Sequence, residues 1–261
     1  MSPASISAAE IGKALSSAGL KTGDLALVHS DAMVAGQLPA MPDEQRLDAV
    51  IGAIEDVLGA KGTLVMPVFS YSFTQGEVFD VRQTPSKVGM LTERFRTRPG
   101  VCRSRDPIFS VAAKGALADE LCSRAVRECF GAQSVFAELH RRNGMILCLG
   151  CSLSSGGTFV HYVEKFHGVN YRYDKTFSGT TVLADGRSEA SSVVYYVRDL
   201  ARNSAANLRR LQSRLEERGL LRCATLGRSR VLGIRAGDFF QTACTMLDED
   251  PVSLIEEGAE F

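Results

Sequence analysis

Tryptophan is absent from this 261-residue chain, histidine occurs four times, and neither sign of charge is in excess, with 30 Lys and Arg against 30 Asp and Glu. A balanced charge argues against nucleic acid or an anionic membrane surface as the main partner, since both select for a basic face. No run approaches the roughly 18 apolar residues of a membrane span. The first stretch, MSPASISAAEIGKALSSAGL, has no basic region followed by an apolar one. No signal peptide is therefore expected, and a cytoplasmic protein is.

Several short motifs are missing too. There is no G-x-G-x-x-G after a strand and no G-x-x-x-x-G-K-[ST], which excludes the common dinucleotide and phosphate loops. No G-x-S-x-G nucleophile elbow appears. The seven cysteines (Cys102, Cys122, Cys129, Cys148, Cys151, Cys223 and Cys244) are odd in number and scattered. That pattern predicts reduced, mostly buried thiols rather than a disulfide framework. Cys148 and Cys151 form a C-x-x-C inside the apolar run MILCLGCSL. No second cysteine or histidine pair completes a zinc set, so core packing is preferred over a redox or metal role. No metal site is expected.

What is present is a globular composition, 45% hydrophobic and 23% charged, ample for a real core. Helical periodicity in SAAEIGKALSSAGL and QRLDAVIGAIEDVLGAKG alternates with the apolar runs DLALVHSD, TLVMPVFSYSF and MILCLGCS. SSVVYYVRD alternates as a strand, ARNSAANLRRLQSRLEERGL reads as a charged surface helix, and RVLGIRAGDFFQTACTMLDED supplies a last strand and helix. Alternation of this kind predicts an α/β chain, one domain over 1–261, with a largely parallel, mixed central sheet flanked by helices. A polar segment punctuated by Pro85, Gly89 and Pro99 predicts a loop-rich insertion over about 72–100.

The most chemically loaded stretch is TFVHYVEKFHG, residues 158–168. Glu164 lies three residues after His161, on the same helical face, and could orient the ring of a general base. On spacing alone an ordinary solvated helix is the better explanation, since i,i+3 polar pairs are common there, and Glu164 could equally pair with Lys165. His167 is six residues from His161 and falls on another face, which argues against a zinc pair. His140 and His167 read as solvated positions, and His29 as either a strand-end residue or a ligand contact.

Five ordered segments add to this reading: GDLALVHSDAMVAG, GTLVMPVFSYSF, SRDPIFSVAAKG, CFGAQSVFAEL and GGTFVHYVE. Over about residues 20–180 they resemble the aminoglycoside 3-N-acetyltransferase family. The resemblance implies an acyl-CoA-dependent N-acyltransferase, with acetyl-CoA or another acyl-CoA as co-substrate and a small-molecule amine as acceptor. It makes His161 the general base and Glu164 its orienting acid, and the amine attacks the thioester directly with no acyl-enzyme. It places His29, Ser30 and Asp31 on a cofactor-contacting loop, with Gly131, Ser134 and Thr158 also toward the cofactor. Thr158 would be a hydroxyl donor for the developing oxyanion.

The chain departs from the family pattern at Asp106-Pro107, where drug-modifying members carry His-Pro. Asp106 and Ser110 are expected at the acceptor, together with Tyr171, Arg172, Tyr173 and Lys175 of NYRYDK. Those cations suit a phosphate-bearing acceptor such as a nucleotide-linked amino sugar. Acetylation of an aminoglycoside is the alternative, and a non-catalytic binding protein on the same fold a second. A cysteine nucleophile at Cys148 or Cys151 is disfavoured, because an apolar strand offers neither base nor access. A homodimer is left open.

Overall fold

The computed structural model describes residues 5–256. Helices α1 (Ala8–Ser17), α2 (Asp43–Leu58), α3 (Met90–Arg96), α4 (Ala118–Ser123), α5 (Val135–Arg141), α6 (Leu153–Gly156), α7 (Val160–His167), α8 (Arg209–Glu217) and α9 (Ala236–Glu249) surround two sheets. The main sheet contains β1 (Leu25–Ser30), β2 (Thr63–Pro67), β4 (Cys102–Arg103), β5 (Val111–Gly115), β6 (Met145–Leu149), β9 (Arg222–Leu226) and β10 (Ser229–Arg235). Its order is β4-β5-β2-β1-β6-β10-β9. A second sheet joins β3 (Phe79–Asp80) to the long hairpin β7 (Arg172–Val182) and β8 (Ser188–Arg198), in the order β3-β7-β8.

The main sheet is mixed and helix-flanked, as the alternation of elements predicts, but its parallel part is narrower than expected. Only β2-β1-β6 run parallel, and antiparallel pairs flank them on both sides. These three strands are the apolar runs LALVHS, TLVMP and MILCL, which carry no polar face because both sides are covered. Successive side chains alternate between the two layers. Leu25, Leu27, Ile146 and Cys148 enter one core cluster, while Ala26, Val28, Met145 and Leu147 enter the other.

Sequence reading missed β9, whose neighbour β10 closes the sheet against β6. It also ran the charged surface helix too far back, since α8 begins only at Arg209. The thiol expectation needs a correction: Cys102 on edge strand β4 and Cys122 on α4 are joined as a disulfide, with Cα atoms 6.2 Å apart. Spacing along the chain carries no information about which cysteines a fold brings together. Within 72–100 lie a 3₁₀ turn (Ser72–Gln75), β3 and α3.

The fold positions its cleft at the carboxyl ends of the three parallel strands. There Ser30, Pro67 and Gly150 mark the ends of β1, β2 and β6, the usual place for a ligand crevice in an α/β sheet. Gly150 makes the exit from β6 with φ +78°, and a Cβ there would come 2.5 Å from Val34. Only glycine adopts that turn without strain or collision.

Candidate active site

Helix α7 presents His161 on its first turn. His161 Nδ1 lies 2.7 Å from Glu164 Oε2, the i,i+3 contact that helical geometry allows. Glu164 is fully buried. A carboxylate there needs partners, because an unpaired buried charge is costly. Two come from the chain just after the helix. Arg172 Nε lies 2.6 Å from Glu164 Oε2, an ion pair whose N–H is not aligned as a hydrogen bond. Tyr171 donates its hydroxyl to Glu164 Oε1 at 3.2 Å.

With Nδ1 donating to the carboxylate, the ring lone pair is left at Nε2. Burial holds the His161 imidazolium below its ordinary range, and the Arg172 charge adds to this, against an opposing pull from Glu164. The result is a neutral imidazole oriented by a buried acid. Burial likewise pushes the Tyr171 phenol up.

Two cavities are of similar size, one of about 740 Å³ beside edge strand β4 and one of about 700 Å³ at the parallel strand ends. The lining of the second reaches Thr158, just ahead of α7, and does not include His161 itself. It includes His29, Ser30, Asp31, Phe69, Tyr71 and Thr158. A run of touching rings leads from that wall to the base. Tyr71 meets Phe109 at 5.6 Å, Phe109 meets Phe130 at 4.7 Å, and Phe130 meets the His161 ring edge-on at 5.4 Å. Thr158, which lines the cleft, accepts the His161 backbone N–H through its carbonyl at 3.1 Å.

Two buried polar atoms in the wall lack a protein partner, His29 Nε2 and Ser30 Oγ. Buried polar groups are almost always satisfied, which sets these two apart from the rest of the wall. Burial lowers the His29 imidazolium to about 4, so this ring is neutral. Asp31 has a local duty as well, capping the following 3₁₀ turn through Met33 N–H at 2.8 Å.

Other expected site residues lie elsewhere. Ser134 is the N-cap of α5, accepting from Ala137 N–H, and does not line the cleft. Gly131 is needed because a Cβ there would come 2.6 Å from Glu128 Oε2. Asp106 is buried and accepts the N–H groups of Ile108 and Phe109 at 2.8 and 2.9 Å, so it shapes a turn. Ser110 is buried between Arg103 and the Val68 carbonyl. Tyr171 and Arg172 serve Glu164 and are buried, not presented to an acceptor. Tyr173 is exposed, and Lys175 lies over the Phe177 ring at 5.2 Å.

Lys165 pairs with Asp174 at 2.6 Å, not with Glu164. His140 is not solvated as expected: it stacks on Phe240 at 3.9 Å, contacts the Tyr162 hydroxyl, and is lowered by burial. The ring wall and the Arg172–Glu164 pair escaped sequence reading.

The family model for aminoglycoside 3-N-acetyltransferase matches residues 27–248. The chain belongs to that family. It is an acyl-CoA-dependent N-acetyltransferase of this kind. Aminoglycoside N(3)-acetyltransferase IV of Salmonella sp. is 30% identical over 237 residues, covering 90% of this chain and 84% of the relative. The aminoglycoside N(3')-acetyltransferase-like protein YokD of Bacillus subtilis is 28% identical, covering 66% and 69%. Among solved structures, the apoenzyme of aminoglycoside acetyltransferase AAC(3)-IVa superposes with a TM-score of 0.78 at 27% identity, covering 99% of this chain and 96% of that one. Among the described residues no group of side chains is arranged to hold a metal ion, and no helix is long and apolar enough to cross a membrane.

Proposed function

We propose that the protein acetylates a primary amine of an aminoglycoside-type amino sugar, with acetyl-CoA in the cleft at the strand ends and His161 as general base. The observation that carries the reading is the His161–Glu164 pair, backed by Arg172 and Tyr171 and joined to the cleft by its ring wall. A cleft of about 700 Å³ with few convergent polar groups has the character of a small-molecule site. The orphaned His29 Nε2 and Ser30 Oγ fit the amide and carbonyl groups of a pantetheine arm.

Acetyl-CoA supplies the acetyl group as a thioester. Everything else falls to the chain. His161 Nε2 takes the proton that the amine must lose, in a reaction with no acyl-enzyme, and Glu164 stabilises the imidazolium that forms. Arg172 and Tyr171 are positioning residues, holding the carboxylate so that it can hold the ring. Thr158 and backbone N–H groups near it are the candidate donors to the developing oxyanion.

The aminoglycoside-type acceptor is read from the relatives, whose names specify it, and not from the charge beside α7, where the carboxylates are already paired. Lys165, one turn beyond His161, meets the half-exposed carboxylates of Asp174 and Glu128. The case for a nucleotide-linked acceptor rested on Arg172 and Lys175, and the Arg172 charge is committed to Glu164. A screen of acetyl-CoA consumption, reading released thiol, tests the proposal against aminoglycosides and nucleotide-linked amino sugars. Turnover of an aminoglycoside, abolished in His161→Ala, is expected. Turnover of nucleotide amino sugars alone would overturn the acceptor assignment.

A further inference from the structure

Cys148 and Cys151 take no part in the proposed transfer, yet Cys151 lies in the wall of the cleft assigned to acetyl-CoA. We propose that Cys151 is a thiolation site that takes a CoA moiety from CoA disulfide, with Cys148 as the resolving cysteine. The inference rests on that assignment of the cleft.

Three features of the site point to it. Cys151 has left the strand: Gly150 turns the chain outward, so Cys151 is only half-buried while Cys148 stays sealed in β6. The two sulfurs also crowd one point. A Cβ added to Gly156 would meet Cys148 Sγ at 2.8 Å and Cys151 Sγ at 3.3 Å, with His29 Cβ at 2.9 Å. Glycine at 156 is what leaves room for both. Third, the neighbouring sulfur lowers the Cys151 thiol and, together with burial, pushes the Cys148 thiol well up. Asp31 opposes the lowering, and buried, neutral His29 adds no charge. The pair is thus asymmetric: a half-buried sulfur in the cleft wall in front, a sealed one behind it.

The chemistry balances with CoA disulfide as the only co-reactant. The Cys151 thiolate attacks one sulfur of CoA disulfide, the S–S bond breaks, and one CoA thiolate leaves. Cys148, losing its proton to solvent, then attacks the Cys151 sulfur, releases the second CoA as thiolate, and leaves a Cys148–Cys151 disulfide. Cys151 and Cys148 are oxidised, and the CoA disulfide is reduced to two thiols. The first product blocks the cleft with a tethered cofactor. An oxidised CoA pool would therefore switch the enzyme off, and a thiol would restore it.

The test uses the full chain, mildly reduced and desalted with the Cys102–Cys122 disulfide confirmed intact by mapping, carrying Cys223→Ser to remove an exposed thiol. It is mixed with CoA disulfide or with glutathione disulfide and followed by intact mass and peptide mapping. The Cys151–CoA adduct is expected first, rising and then falling as the Cys148–Cys151 disulfide appears. CoA disulfide should react roughly tenfold or more faster than glutathione disulfide, because the cleft concentrates it. Cys244, whose thiol burial pushes up to about 11, should lag behind. Cys148→Ser should trap the adduct, and the wild-type time course carries the same information if that variant misfolds.

Labelling of Cys151 no faster than Cys244 overturns the proposal. So does parity between the two disulfides in a protein that calorimetry shows to bind CoA. Absence of CoA binding in the same calorimetry instead overturns the cleft assignment, and this inference with it.

Discussion

Helix α7 carries a histidine at each end paired to a carboxylate, Glu164 of the same helix at its start and Asp248 of α9 at its end, and the surroundings of the two differ. At its start, His161 meets Glu164 at 2.7 Å, and the carboxylate is fully buried beneath Arg172 and Tyr171. At its end, His167 meets Asp248 at 3.0 Å, and that carboxylate is 73% exposed. The second contact competes with water and is worth little. In the first the carboxylate is shut from water while the ring keeps an exposed edge, so the acid is held in place and its pull on the ring is strong. A histidine beside an acid is common on helices. An acid with its own buried holders is what sets the His161 pair apart.

Breaking the buried end should have the largest effect. His161→Ala is expected to lower kcat/KM by roughly 10²–10⁴, the usual contribution of a general base. CoA affinity in calorimetry should stay near that of the parent protein, because the cleft wall at His29 and Ser30 is untouched. Next comes the holder. Arg172→Ala leaves Glu164 buried without its cation and should cost about 3–5 kcal/mol in urea unfolding. A loss below about 1 kcal/mol would mean that water reaches the carboxylate.

A third effect comes from another buried histidine. His29 is held at about 4 when folded, against an ordinary value of 6.5, so the unfolded chain binds the proton first. Its contribution to stability is intact above pH 6.5 and is lost as pH falls toward 4. By linkage the loss over that window is about 3 kcal/mol, readable as a shift in urea midpoint. The loss should shrink when His29 is replaced by Gln. The exposed end of α7 should respond least: His167→Ala is expected to change stability by less than about 0.5 kcal/mol and leave turnover unchanged.

The amino-acid sequence displays part of this contrast. The i,i+3 spacing of His161 and Glu164 is legible, and so is the separate face of His167. The apolar runs of β1, β2 and β6 announce a sheet covered on both sides. Burial of Glu164 is not legible, because it depends on Arg172 and Tyr171 returning from the start of β7 to the inner side of α7. In sequence those residues sit among exposed Tyr173, Asp174 and Lys175 and read as one basic surface patch. Ser134 and Asp106 misled for a related reason. Small polar residues serve backbone caps and turns as readily as ligands, and only the fold shows which N–H groups they meet.

The account turns on one state of one ring: His161 neutral near pH 7, protonated at Nδ1 toward Glu164, with its lone pair at Nε2. Heteronuclear NMR titration of the His161 ring, assigned by comparison with His161→Ala, measures this directly. The account predicts a protonation midpoint below the ordinary 6.5 and the Nδ1–H tautomer above it, because burial and the Arg172 charge outweigh the pull of Glu164. A midpoint at or above 6.5, or an Nε2–H tautomer at neutral pH, would contradict it.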